Sequence, residues 1–315
     1  MAHVGLRAVP RTEWHTTTVA GARTRWFDAG EGEPLVFLHG WGMTPRVYAR
    51  AVTPLCRAGI RVIAPALPGF GGTTAPPLRR VSLDEYADRV AAFLDALALE
   101  SPAFVMGHSL GGGVAIRLAT RRPDLVRSLT LVNSVGGAPG RRTGMTARPW
   151  WQWAIGAIGE ADPRTMFDTG PRGAFDVVRG VVRDFVPNLA RAPLTSALSA
   201  YVALSADLAD DAQLLVDDGL PVLFVWGDRD RLITPGAFAE IANEMTPEVV
   251  EGRHGWLLTA PDEFAQLLHN ALVVHAMLER SRRGQRPRAA FDASLFPSER
   301  RRRARRGDTG TRAQS

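Results

Sequence analysis

Lysine is absent from this 315-residue chain, so all 38 of its basic Lys/Arg positions are arginine. A guanidinium stays protonated and cannot add to a carbonyl as a free amine, which excludes Schiff-base chemistry. Cysteine is nearly absent too. The lone Cys56 rules out any intrachain disulfide, and its place on a predicted amphipathic helix reads as a buried small hydrophobe. No apolar run approaches the ~20 residues of a membrane-spanning helix. Met1 to Pro10 lacks a cationic stretch followed by an apolar core, so no signal peptide is expected and a cytoplasmic location follows. Nor does any internal repeat appear.

Charge is distributed unevenly. Arg280 to Ser315 holds twelve arginines against Asp292, Glu299 and Asp308, a local +9 that leaves the first 279 residues at −3 of the chain's net +6. The tail includes Arg300-Arg301-Arg302-Arg303-Ala304-Arg305-Arg306 with few large apolar residues, so it cannot bury enough surface to fold alone. Weak electrostatic contact with anionic lipid or nucleic acid is one reading of it, and a solvated extension is the other.

What is present centres on Gly107-His108-Ser109-Leu110-Gly111. Ala103-Phe104-Val105-Met106 before it reads as a strand covered on both faces, and Gly112 to Thr120 after it has helical spacing. A serine on so sharp a strand-to-helix turn is strained, and its flanking glycines remove side chains that would clash. The Leu110 N–H then opens a helix without an intrahelical acceptor, at the positive end of the dipole. Alone, the pattern is a weak signal.

Its context adds three pieces. Leu35-Val36-Phe37-Leu38 reads as another buried strand, ending in the loop His39-Gly40-Trp41-Gly42, where the Trp41 N–H would be a second oxyanion donor. Pro221 to Trp226 is a strand that ends in Gly227-Asp228-Arg229-Asp230, and a short strand at Val249-Val250 precedes His254, 24 residues beyond Asp230. Active sites of open α/β sheets gather at such strand ends. Asp228 and Asp230 point the same way on an extended segment, so spacing alone does not choose between them. Elsewhere, Thr16 to Ala29 reads as an edge hairpin turning at Gly21, Ser82 and Glu85 form a capping box, and helices are expected over Pro235 to Met245 and Pro261 to Leu278.

Over about residues 16 to 279 the chain resembles the α/β-hydrolase family, in the elbow, the His39-Gly40 loop and Val62-Ile63-Ala64-Pro65-Ala66-Leu67-Pro68-Gly69-Phe70-Gly71. Ala66 stands where many members carry a structural aspartate. The order Ser, Asp, His is the family's own. The resemblance implies a mostly parallel eight-stranded sheet flanked by helices, with a helical cap. It implies Ser109 as nucleophile, His254 as base and then acid, and Asp230, favoured over Asp228 by the family's Gly-x-x-Asp pattern, as the orienting carboxylate. Leu110 and Trp41 would form the oxyanion hole, and neither metal nor cofactor is required. His39 reads as a brace for that loop and His108 as a packing residue in the turn, while His3, His15, His269 and His275 fall outside the site.

About 80 residues separate the strand Leu129 to Asn133 from the Pro221 strand, more than one crossover helix needs. The expected division is a core of residues 1–139 and 216–279, a helical cap over 140–215, and the tail 280–315. Trp150, Trp151 and Trp153 would either line an apolar pocket or glue the cap to the core. The function expected is cleavage of a carboxylic ester with an apolar small or medium acyl group, a small-molecule substrate requiring no obligate protein partner. Carbon-carbon bond hydrolysis, cofactor-free perhydrolysis and acyl transfer use the same three residues, and a non-catalytic ligand receptor is the reading from another class. A serine at the elbow, not an aspartate, argues against dehalogenase and epoxide hydrolase chemistry.

Overall fold

The computed structural model describes residues 13–137, 170–242 and 245–282. The strands are β1 (Glu13–Val19), β2 (Ala22–Ala29), β3 (Glu33–Leu38), β4 (Ile60–Pro65), β5 (Ala103–His108), β6 (Val126–Val132), β7 (Val222–Gly227) and β8 (Glu248–Val250). They form one sheet in the order β1-β2-β4-β3-β5-β6-β7-β8. β1 and β2 are an antiparallel hairpin, β2 joins β4 antiparallel, and every pair from β4 to β8 is parallel. The chain order reverses beside β3, so β3, β5, β6 and β7 bring their C-terminal ends to one rim.

The apolar runs are continuous because both sheet faces are covered. Along β3, Leu35 and Phe37 enter one hydrophobic cluster while Val36 and Leu38 enter the other; along β5, Phe104 and Met106 alternate with Ala103 and Val105 in the same way. One face packs against α2 (Leu83–Leu97) and α3 (Leu110–Arg121), the other against α1 (Pro45–Arg57) and the final helix described below. α1 starts at Thr44, whose hydroxyl accepts the Arg46 N–H, with Pro45 in its first position. Cys56 is buried on this helix as expected, and burial pushes its thiol up to about 11. Ser82 caps α2 by accepting the Glu85 N–H at 3.1 Å, but the Glu85 carboxylate takes Arg89 at 2.8 Å and Arg80 at 2.6 Å. That is half of the expected capping box, because the arginines offer a charged partner.

Between β6 and β7 run the helices α4 (Gly170–Arg191), α5 (Pro193–Leu204) and α6 (Ala209–Asp217). After β7 come α7 (Pro235–Ala242), the single turn α8 (Trp256–Thr259) and α9 (Pro261–Arg282). Among the described residues no helix is long and apolar enough to cross a membrane.

Candidate active site

Ser109 follows the last residue of β5 and precedes α3, with φ +54° and ψ −119°, a conformation that side chains disfavour. Its N–H donates to the Val132 carbonyl at 3.1 Å, and its carbonyl accepts the Val135 N–H at 3.2 Å, so the end of β6 holds the turn. The flanking glycines are required by close approach. A Cβ on Gly107 would lie 2.3 Å from the Gly111 oxygen, and one on Gly111 would lie 2.1 Å from the Leu38 oxygen. The α3 backbone can therefore sit directly on β5 and β3, which aims its N-terminus at the rim.

His254 and Asp230 meet there. The His254 Nδ1–H donates to Asp230 Oδ2 at 2.8 Å, and both residues are buried. Asp230 Oδ1 accepts the Leu232 and Ile233 N–H groups at 2.8 and 2.9 Å, and Oδ2 also accepts the Asn133 amide. Burial by itself would raise this carboxyl, but the charge and bond of His254, with the Asn133 and Ile233 donors, outweigh it and hold it below its ordinary value. An ionised, fully bonded carboxylate fixes the proton on Nδ1 and leaves the lone pair of His254 at Nε2. Asn133 is itself oriented by Trp256, whose indole N–H donates to its Oδ1 at 3.0 Å. Asp228 instead accepts the Gly252 N–H at 2.9 Å.

The His254 loop is set against the elbow through His108, whose Nε2–H donates to the His254 carbonyl at 2.9 Å while the two rings lie 4.9 Å apart. His108 is thus more than the packing residue the sequence suggested, since both of its ring nitrogens are hydrogen-bonded. A histidine one position before a strained serine carries no pattern that distinguishes these cases.

The loop after β3 is pinned from several sides. The Gly40 carbonyl accepts His39 Nδ1–H at 2.9 Å and the Met43 N–H at 3.3 Å, and the Leu67 N–H donates to His39 Nε2 at 2.8 Å. Burial holds His39 down at about 4, hence neutral, and the brace read from the sequence is the contact observed. A trans peptide is planar, so anchoring the Gly40 carbonyl turns the Trp41 N–H the opposite way. The Trp41 indole donates to the Ser196 carbonyl at 2.9 Å and the Ser199 hydroxyl at 3.1 Å on α5, and its ring meets Phe185 of α4 edge to face. Asn188 of α4 donates to the Gly42 carbonyl at 3.0 Å and accepts the Gly71 N–H at 2.9 Å, and Asp184 accepts the Thr44 hydroxyl.

Sequence reading missed Asn133, Tyr48, Asp184 and Asn188. The last two had one available signal, polar residues four apart beside Phe185 on a helix face. Trp150, Trp151 and Trp153 lie outside the described residues, as do residues 283–315 of the arginine tail, whose first three residues instead continue α9 to Arg282. Among the described residues no group of three or more His, Cys, Asp or Glu side chains is arranged to hold a metal ion.

Residues 35–267 match the model of the Alpha/beta hydrolase family. The chain is 33% identical over 261 residues to a pimeloyl-[acyl-carrier protein] methyl ester esterase of Aromatoleum aromaticum, covering 76% of this chain and 97% of that one. It is 41% identical over 119 residues to a 2-hydroxymuconate semialdehyde hydrolase of Pseudomonas sp. (strain CF600), 37% of this chain; that match spans only 42% of the relative's length. Among solved structures, the enol-lactonase from Burkholderia xenovorans LB400 has the same fold, with TM-score 0.66 at 19% identity, covering 82% of this chain and 100% of that one. The chain is an enzyme and belongs to the alpha/beta hydrolase family.

Proposed function

We propose that this enzyme cleaves a carboxylic ester with an apolar, small or medium acyl group through an acyl-enzyme. Ser109 Oγ attacks the ester carbonyl as His254 Nε2 takes its proton, and Asp230 stabilises the imidazolium that forms. The Leu110 and Trp41 N–H groups stabilise the tetrahedral oxyanion, and loss of one such donor typically costs ~3 kcal/mol of barrier. His254 then protonates the leaving alcohol. In the second half it deprotonates a water that attacks the acyl-enzyme, releasing the acid and restoring Ser109.

The observation that carries this reading is the Asp230–His254 hydrogen bond of 2.8 Å, on a loop bonded to the residue that precedes the strained Ser109. A neutral alcohol needs a base, and the base needs an orienting group; the Asp230 bond to His254 supports the second requirement, and the proposal assigns the first to His254. The ester bond is favoured because the relative matched along 97% of its length is a methyl ester esterase. Carbon-carbon bond hydrolysis by the same residues is the second reading, favoured by the 41% identity to the semialdehyde hydrolase.

In this proposal residues 140–215 form a cap on a core of 1–139 and 216–279, and Trp150, Trp151 and Trp153 line its acyl pocket. The test is turnover of p-nitrophenyl esters of increasing chain length with labelling by a fluorophosphonate, beside Ser109→Ala. Ester turnover and labelling that both vanish in the variant are expected. Labelling without ester turnover would transfer the assignment to carbon-carbon cleavage or acyl transfer, and absence of labelling would overturn the serine mechanism. Alanine at each cap tryptophan should shift chain-length preference; a change in melting temperature alone would reject the pocket.

A further inference from the structure

We infer that Tyr48 and His108 are positioning residues that join the oxyanion loop to the loop of His254 through one buried hydrogen-bonded chain. The inference rests on the serine mechanism proposed above.

The chain can be followed atom by atom. The Gly40 N–H donates to Tyr48 Oη at 3.2 Å, Tyr48 Oη lies 2.9 Å from His108 Nδ1, and His108 Nε2 lies 2.9 Å from the His254 carbonyl oxygen. A carbonyl only accepts, so the His108 proton is on Nε2 and its lone pair on Nδ1. Tyr48 must then donate to that lone pair while accepting from Gly40. Every link has one direction, and reversing any of them breaks its neighbour. Burial lowers the His108 imidazole to about 3, with His254 beside it adding to that shift, which keeps the ring neutral at neutral pH, and the His254 carbonyl then selects this tautomer.

The packing is as directed as the bonding. A Cβ on Gly40 would lie 2.9 Å from His108 Nδ1 and 3.0 Å from Tyr48 Oη, so the loop passes directly over the link between them. Tyr48 is fixed in turn by Phe37 of β3, with ring centroids 4.9 Å apart. The chain therefore crosses from the residue before Trp41 to the backbone of His254 by way of the residue before Ser109. Its two ends are the Gly40 N–H, one residue before the proposed oxyanion donor Trp41, and the backbone of the proposed base His254, and a shift of either group by about an ångström is the scale at which turnover falls by about 10²-fold.

The experiment compares Tyr48→Phe, His108→Asn, His108→Gln and His108→Leu in the full chain, with kcat, KM, fluorophosphonate labelling rate and melting temperature for each. Tyr48→Phe keeps the ring and removes both links of the hydroxyl. It should lower kcat and the labelling rate about tenfold with KM within about twofold. Asn retains an acceptor near the Nδ1 position and Gln a donor near the Nε2 position, so each should fall between the parent and His108→Leu. A merely structural role would lower the melting temperature and leave kcat per labelled site unchanged. That result in Tyr48→Phe, or parental kcat in His108→Leu, overturns the inference. Ser109→Ala separates the two readings: if it stays active, the serine mechanism fails, whereas its inactivity beside a fully active Tyr48→Phe sinks only the chain described here.

Discussion

Replacing Ser109 by glycine is expected to raise the melting temperature above that of Ser109→Ala, although both replacements remove the same hydroxyl. At φ +54° and ψ −119° any Cβ is held in a region that costs on the order of 1–3 kcal/mol, and glycine alone escapes it. Against that relief stands the larger unfolded-state freedom of glycine, about 0.4–1 kcal/mol. The lost Cβ adds a fraction of the ~0.8 kcal/mol of a fully buried methylene, since Ser109 is only half-buried. With about 2 kcal/mol of relief, roughly 1 kcal/mol remains in favour of glycine, or about 2–4 °C for a domain of around 200 residues. Differential scanning calorimetry of the two variants at one pH and ionic strength reads this directly. If Ser109→Gly melts at or below Ser109→Ala, the turn is not strained and the fold stores no energy in presenting the serine.

Asp230→Asn should leave the fold intact and lower kcat by about 10⁴-fold, because an amide no longer demands the proton on His254 Nδ1; kinetics with a p-nitrophenyl ester checks it, and a loss below tenfold would make Asp230 dispensable. His39 is neutral when folded, with its pKa depressed from 6.5 to about 4, so it contributes stability that is fully present above 6.5 and is lost as pH falls toward 4. Between pH 7 and 4.5 this amounts to about 2–3 kcal/mol, and urea titrations should show a fall shallower by that amount in His39→Gln. Asn188→Ala removes one buried and one partly buried hydrogen bond and leaves the Gly42 carbonyl and Gly71 N–H without their side-chain partner, an expected loss of about 2–3 kcal/mol in denaturant titration; an unchanged midpoint would show that α4 does not anchor that loop.

Much of this site was legible residue by residue. The elbow could be found because its signature is local: a short apolar strand, two glycines forced by backbone contact, and a helix start within five positions. The edge hairpin was legible for the same reason, with Gly21 and Ala20 both at positive φ in its turn. His108 was misjudged because its partners, Tyr48 and the His254 carbonyl, are 60 and 146 positions away. Asn133 ends a strand like any other polar residue, and nothing near it in the chain announces that it bonds a carboxylate 97 positions on.

The sequence by itself determined which segments become strands and helices, the order Ser109, Asp230, His254, and the strained turn, because periodicity and steric exclusion act over a few residues. Tertiary structure decided which of two neighbouring aspartates meets the histidine, which nitrogen of each imidazole carries the proton, and how α4 and α5 grip the loop of Trp41. Those outcomes depend on β3, β5, β6 and β7 ending at one rim. A hydrogen bond is decided within tenths of an ångström, a scale that only the packed sheet sets.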